Sequence, residues 1–551
     1  MKAESGNTVP YWIEGIDVAS FGALSGEIEA DVCIIGGGIA GLSTAYLLAQ
    51  AGKKVVVLDD GPIGGGETQR TTAHLSCVID DRFSTVKSQH GLDAARAAYD
   101  SHFAAIELID KIVSEEEIDC DFVRLDGFLF RGEKKSHGKV LNQEFEVATE
   151  IGFAGIEMLE NVPLPFFPEH RECIRFPMQG QFHVLKYLNG IARAVLRDGG
   201  VIYSGTHAEE IVDGTPAQVK CVGGAVVRAR AVVIATNSPV LAKWSLLHTK
   251  QSAYRTYVIA GKVPIGSVQL GLYWDTEDPY HYIRCQKIEG DLDNELLIIG
   301  GEDHRTGEES QPASCFEELE KWARKMFPMM STVDYRWSGQ VMETVDGLAL
   351  IGRDIKRGDN IYIATGDSGM GMTHGTIAAM ILSDLIMGVE NPWAELYDPA
   401  RLPVKAAMEY VYENVNTAMQ YARYAQPAQA EALRDIERGQ GALMRHMGKP
   451  YAVYHATNCD ETFQCSAICP HMGAIVQWND VEKTWDCPAH GSRFRGTGEV
   501  INGPANTGLA AIKDGDRITD AATGLDGTSV GIDSLPPPGD SGIELPPPPT
   551  M

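Results

Sequence analysis

Two short segments bearing Cys and His are the most chemically pointed part of the sequence. Cys469-Pro-His471 is followed, after residues 472–486, by Cys487-Pro-Ala-His490. Two thiolates suit one ferric iron and two neutral imidazoles suit another. Cys469, His471, Cys487 and His490 are therefore candidate ligands of a [2Fe–2S] cluster. A tetrahedral zinc site draws on the same residue types and is the alternative. Each pair sits in a turn-rich stretch, so two loops would close on the metal from opposite sides. Cys459 and Cys465 lie nearby and read as structural thiols.

A second group could bind a dinucleotide. Gly36-Gly-Gly-Ile-Ala-Gly41 stands between an apolar strand (DVCII) and a segment of helical spacing. Gly36 permits the tight turn, Gly38 lets backbone approach a pyrophosphate, and Gly41 allows close helix–strand packing. Ile39 and Ala40 open the helix whose N-terminus faces the anion. KKVVVL reads as the next strand, and Asp59 and Asp60 at its end stand where an acid should hold ribose hydroxyls. NAD and FAD both fit that unit.

Three further segments favour FAD. The turn Gly64–His74 would line the pyrophosphate and the flavin ring with Thr71, Thr72, Ala73 and His74. The strand RAVVIAT brings Thr236 to the domain late, and Ala208 precedes it as another candidate contact. Gly369-Met-Gly-Met-Thr-His374 opens a helix, so the amides of Gly369, Gly371, Met372 and Thr373 would face a flavin carrying negative charge. Gly369, Gly371 and Gly375 do not form a second dinucleotide site, because their helix runs into Asn391-Pro392-Trp393 without a following strand or acid. With one dinucleotide site, electrons are expected from an organic substrate rather than from NAD(P)H.

The elements that must position these groups fill a long chain. At roughly 150 residues per domain, 551 residues suggest about three or four domains. The apolar share of 44% and charged share of 22% are those of a globular protein. Acidic residues outnumber basic ones by 75 to 47, a net charge of -28, which argues against nucleic acid and anionic lipid as partners. No apolar run reaches membrane-span length, and the N-terminus lacks a secretion signal, so a cytoplasmic location is expected. The expected fold is α/β over residues 1–395. A helical connector (396–441), a small all-β domain (442–517) and a Pro-rich flexible tail (518–551) follow.

In its GGGIAG turn, RTTAHLS segment, VVIAT strand and DGLALIG…IYIATGDSGMGMTHG block, the chain resembles the glycine oxidase/sarcosine oxidase/D-amino-acid oxidase superfamily of flavoproteins. The resemblance spans about Asp31 to Gly388. It implies FAD, a Rossmann-like FAD lobe (about 28–115, 170–245 and 335–395) interleaved with an α+β substrate lobe (about 116–169 and 246–334), and removal of a hydride from the carbon next to an amine nitrogen. No Cys matches the flavin-attachment position of sarcosine oxidase, so the FAD is expected to be non-covalent. HGSRF and GEVINGPA, after the second Cys–His pair, resemble a Rieske ferredoxin-like domain. That resemblance implies a Rieske cluster at Cys469, His471, Cys487 and His490. In respiratory Rieske proteins two further Cys tie the loops; the matching positions here are Ala474 and Ala489. Ser492 is kept, whereas Phe494 replaces a Tyr whose hydroxyl would favour the reduced cluster. The midpoint is therefore expected in the lower part of the Rieske range of about −150 to +300 mV.

The substrate side is less marked. Gln179–His183, Tyr254–Tyr257, Pro279–Arg284 and Gly300–Arg305 combine aromatic residues with Arg and His. An Arg would pair with a substrate carboxylate and an aromatic box would hold a cationic amine. Arg255 and Arg284 are the candidate anion-binding residues, and His74 the candidate next to the flavin. The expected activity is oxidation of a small-molecule amine or amino acid. Electrons would pass singly through the cluster to an external acceptor protein, leaving by an exposed His471–His490 edge. Reverse flow from a donor protein into a reductase or monooxygenase is the second hypothesis, and a flavin/Rieske electron-transfer protein without substrate the third.

Overall fold

The computed structural model describes residues 6–519 apart from 168–169, 242–245, 310, 355, 402–406 and 514–516. The Pro-rich tail lies almost wholly outside the described residues.

Short β-branched runs form the first sheet. Glu27–Ile35, Val55–Leu58, Val201–Tyr203, Val226–Asn237 and Ile361–Thr365 run parallel, in the order 361–365, 226–237, 27–35, 55–58, 201–203. Both faces of this sheet are buried, as in parallel sheets generally. Ile34 and Val57 face helices Ile39–Gln50 and Gly371–Met387, while Cys33 and Val56 pack with Ile211 and Val219 on the other side. This is the expected dinucleotide-binding layer, and it delivers the turn 36–38 to its edge.

The second sheet has nine strands and is mostly antiparallel. Its order is 335–344, 251–264, 294–305, 281–287, 272–275, 123–130, 173–181, 74–75, with 157–159 beside 173–181. Helix Pro312–Met326 covers one face through Phe316 and Leu319. Here the lobe boundaries drawn from sequence need correction. Tyr335–Thr344, Cys173–Gln181 and His74–Leu75 were assigned to the FAD lobe but belong to this sheet. Backbone pairing decides it: Tyr335–Thr344 is zipped to Gln251–Pro264 from Gln251↔Thr344 to Ala260↔Tyr335.

The C-terminal unit is all-β, with a sheet of 441–446, 449–455 and 462–466 and another of 477–479, 484–486, 493–495 and 500–502. Of the connector assigned to 396–441, Ala407–Met419 is α-helix and Gln420–Ala425 a 3-10 turn. The rest of that span is not a linker: Leu433 and Ile436 are buried with Met444, Tyr451 and Val453 in the core of the β unit. Among the described residues no helix is long and apolar enough to cross a membrane.

Candidate functional site

A long cavity runs between the two sheets. Its first end is built from the glycine turn. Gly36 has φ +108°, and a Cβ there would come within 2.3 Å of the Ala235 carbonyl oxygen. Asp59 fixes the turn by accepting from the Gly37 amide at 2.6 Å and the Gly61 amide at 2.8 Å. Gly36, Gly38, Ile39, Ala40, Asp59, Asp60, Thr71, Thr72, His74, Ala208, Thr236, Gly369, Gly371 and Met372 all line the cavity. The N-terminal turn of helix Gly371–Met387 opens onto it, and Gly375 lets this helix cross Ile39 and Ala40 at contact distance. A groove lined by bare backbone and two helix N-termini fits the pyrophosphate and flavin of FAD.

Three expected cofactor contacts fall outside that lining. Gly41 packs on the Gly36 carbonyl, where a Cβ would lie 1.9 Å from the oxygen, so its role is helix–turn packing. Ala73 is fully buried and gives its carbonyl to Arg284 at 2.9 Å. Thr373 turns its hydroxyl to His102 Nδ1 at 2.8 Å.

The expected anion-binding arginines also need correction. Neither lines the cavity, and both are fully buried. Arg255 donates to Ser338 Oγ at 2.9 Å and pairs with Glu482 at 3.3 Å. Arg284 is spent on the carbonyls of Thr72, Ala73 and Phe182. His74 does line the cavity, with Nδ1 3.0 Å from Thr72 Oγ1. Burial, and then the neighbouring Arg284 charge, push its imidazole down to about 3, so it stands as a neutral hydrogen-bonding group.

The far end of the cavity is walled by the second sheet. Trp274, Tyr280 and Tyr282 supply aromatic faces, and Thr256, Asp303 and Glu343 supply polar ones. Asp80 joins them, accepting from the Tyr280 hydroxyl at 3.0 Å, and Asp367 accepts from the Met342 amide at 3.0 Å. Burial raises the Asp80 and Asp367 carboxyls to about 6 and Asp303 to about 7. Sequence reasoning singled out the segments holding Tyr280, Tyr282 and Asp303 but missed Asp80 and Glu343. Asp80 lies in a turn and Glu343 on a strand, and neither is part of a motif that marks it locally.

The metal-ligand candidates stand in two loops of the same form. In one, the Gly473 amide closes on the Cys469 carbonyl at 3.0 Å; in the other, Gly491 closes on Cys487 at 2.9 Å. Both glycines are left-handed, with φ +86° and +78°. The Cys469 and Cys487 thiols hydrogen-bond to each other, and that bond, with the Ser492 hydroxyl and the His471 amide, draws Cys469 down. The His471 and His490 ring centroids are 4.9 Å apart. The donors thus come as a thiol pair and an imidazole pair. That pairing fits a two-iron cluster better than a single zinc. Phe494, at the position of the missing Tyr, is fully buried.

The imidazole edge is not exposed, contrary to the expectation of an exit there. His471 and His490 are only 7% and 9% exposed, because the first unit covers them. His248, in the turn Leu246–Thr249, places Nε2 3.3 Å from His471 Nε2, so this face of the His471 ring is engaged by the first unit. The 3-10 turn 420–425 clamps the same loop: Tyr421 donates to the Met472 carbonyl at 2.8 Å and Tyr424 to that of Gly473 at 2.5 Å.

The β unit also closes the cavity. Ile501, Asn502, Gly503, Ala505 and Asn506 belong to its lining. Asn502 donates to Glu67 at 2.7 Å, and Asn506 to the carbonyls of Ala208 and Glu209 at 3.2 and 3.1 Å. Gln340, which lines the cavity, donates to the Gly491 carbonyl at 3.0 Å, one residue past His490. Beneath this seam Glu482 accepts from Arg70, Arg255, Ser338 and Thr8. Sequence reasoning named Ala208, Arg255 and the HGSRF and GEVINGPA segments in other roles, and did not name Glu482, Gln340, Ser338 or Asn506.

Comparison with known proteins agrees with both halves. A family model described as FAD dependent oxidoreductase matches residues 31–385, and one described as Rieske [2Fe-2S] domain matches 427–513. A Bacillus subtilis (strain 168) protein named as a Rieske 2Fe-2S iron-sulfur protein, YhfW, is 31% identical over 499 residues, 90% of this chain and 96% of its own. Gamma-glutamylputrescine oxidoreductase of Escherichia coli (strain K12) is 28% identical over 385 residues, covering 67% of this chain and 86% of its own. Among solved structures, glycine oxidase from Geobacillus kaustophilus superposes with TM-score 0.57 at 19% identity, covering 68% of this chain and 100% of its own. L-proline dehydrogenase from P. horikoshii gives 0.55 at 20%, covering 69% and 98%. At those identities the two structures show a shared fold.

Proposed function

The chain belongs to the FAD dependent oxidoreductase family and carries a C-terminal Rieske [2Fe-2S] domain, and from that membership we propose that it oxidises an amine at the carbon beside nitrogen and passes the electrons, one at a time, to an external acceptor. FAD in the cavity would take the hydride, and the cluster would split the electron pair into single transfers. The residues of the chain do the rest. The turn 36–38 and the segment 369–372 would hold the dinucleotide, and Cys469, Cys487, His471 and His490 the cluster. The aromatic wall of Trp274, Tyr280 and Tyr282 would set the substrate carbon over the flavin position, which is the main catalytic contribution asked of the protein. Neutral His74 would donate or accept a hydrogen bond there without carrying charge.

One observation carries the reading. Gln340 lines the cavity and bonds to the carbonyl of Gly491, the residue after His490, so the two cofactor sites share a wall. That contact supports direct transfer within one molecule. The amine names of the relatives, gamma-glutamylputrescine and glycine, support the choice of substrate chemistry. The test is anaerobic mixing of the holoprotein with primary and secondary amines, N-methyl amino acids and D-amino acids. Flavin bleaching followed by the electron paramagnetic resonance signal of a reduced Rieske centre is the expected result. Bleaching by none of them, with reduction of the cluster and then the flavin by a reduced ferredoxin, would replace it with reverse flow.

A further inference from the structure

The charge of the cavity's substrate end says what kind of amine belongs there. Of the described residues lining the whole cavity, Arg70 is the one Lys or Arg. Its guanidinium is already held by Glu482 at 3.1 Å and by the carbonyls of Ser338 at 2.6 Å and Thr8 at 2.9 Å. His74 is neutral. Against this, four carboxyl groups line the cavity away from the glycine turn: Asp303 and Glu343 on the second sheet, and Asp80 and Asp367 beside Gly369 and Gly371.

These four feel one another. The Glu343 carboxyl is held well above the usual range by burial and then by the charges of Asp81, Asp80, Asp367 and Asp303. Asp303 is raised by burial and by Asp80, while a hydrogen bond from Thr256 and the charge of His281 pull it down. Like charges gathered in one site make each further charge costly. A cation placed among them relieves that cost.

The ligand that fits is therefore a cation. Asp80 ties the acidic group to both walls: Oδ2 accepts from the Tyr280 hydroxyl, and it lies 2.3 Å from where a Gly369 Cβ would stand, at the flavin end. Tyr280 and Tyr282 have ring centroids 5.5 Å apart, and Trp274 completes the aromatic side. Aromatic faces beside carboxylates bind an ammonium group, whereas a substrate carboxylate would find, among the lining Lys and Arg, only Arg70, which is already paired.

We propose that the substrate is a diamine or polyamine without a carboxylate, whose second, cationic nitrogen is held by Asp303, Glu343 and Asp80 against Tyr280, Tyr282 and Trp274 while its other amine end reaches the flavin. This rests on the amine-oxidation reading above and narrows it. It departs from glycine oxidase and L-proline dehydrogenase, the neighbours of like fold, whose named substrates are amino acids.

The experiment uses the holoprotein under anaerobic conditions. Flavin bleaching is followed with 1,4-diaminobutane, spermidine, butylamine, N-methylglycine and D-alanine, and the flavin spectrum is titrated separately with hexamethonium, a dication that cannot be oxidised. The expected result is half-bleaching by the diamine or spermidine at a concentration about tenfold or more below that for butylamine, with the amino acids inert. Asp303→Asn and Glu343→Gln should each raise the diamine and hexamethonium concentrations about tenfold and leave the spectrum of the free holoprotein unchanged. Bleaching by N-methylglycine or D-alanine but not by the diamines would overturn the cation site and leave amine oxidation standing. A hexamethonium titration that responds to both variants, with no amine bleaching the flavin, would keep the cation site and overturn oxidation. Diamine half-bleaching and hexamethonium titration both unmoved by the two substitutions would overturn the assignment of these carboxylates.

Discussion

Glu482 shows how much one residue holds. Its carboxylate is fully buried between Arg70 and Arg255, which with Arg493 hold its pKa far below the usual range against the cost of burial. Glu482→Gln leaves those cations buried without their partner and is expected to cost about 3–5 kcal/mol, measured by denaturant unfolding of the holoprotein. The pH dependence follows from the sign of the shift. A depressed carboxyl contributes its full stability above the unfolded value of about 4.3 and loses it as pH falls below that. Wild type should therefore lose stability on acidification below about pH 4 more steeply than the Gln variant; parallel curves would remove Glu482 from the account. Phe494 offers a second test. A Tyr there would bring a hydroxyl toward the cluster loops, so Phe494→Tyr should raise the midpoint potential by tens of millivolts in a redox titration, and an unchanged midpoint would mean the hydroxyl does not reach.

At the scale of elements, the segment 500–506 is the unexpected part. It begins as the last strand of the Rieske sheet and ends as one wall of the flavin cavity. Asn506→Ala removes two hydrogen bonds to backbone carbonyls and leaves the cap open. It is expected to speed FAD release severalfold, at about 1 kcal/mol per net hydrogen bond, seen as the rise in flavin fluorescence on dilution; an unchanged release rate would mean that the cap does not retain the cofactor. The glycine turn 36–41 and the two Cys–His loops were legible in the sequence because every residue that gives them meaning lies within a few positions. Arg255 was not: its partner Glu482 is 227 residues away, in another unit, so a buried ion pair looked like a substrate-binding arginine. The helical connector misled for a related reason. Its spacing was right over 407–419, but Leu433 and Ile436 are apolar for the sake of a sheet that begins after them.

For the whole molecule, the described contacts join a flavin lobe and a Rieske domain that sequence alone would have set side by side. Gly491 marks the seam. It is left-handed, and a Cβ there would come within 2.2 Å of the Ala253 Cβ. Gly491→Ala should push the cluster loop off the flavin unit and slow cluster reduction after flavin bleaching in stopped-flow measurements, with the bleaching step itself unchanged. An unchanged second phase would mean that electrons do not cross at this seam. On the proposed reading, the net charge of -28 would suit a basic redox partner, and the covered imidazole edge would have that partner collect electrons elsewhere on the Rieske surface. His471 is held by His248, its loop by Tyr421 and Tyr424 at Met472 and Gly473, and Glu482 is locked below them. A domain fastened on so many sides has no swinging stroke to make between donor and acceptor. The internal step should then be indifferent to glycerol viscosity and to dilution, and only delivery to the outside partner should slow in a thickened medium.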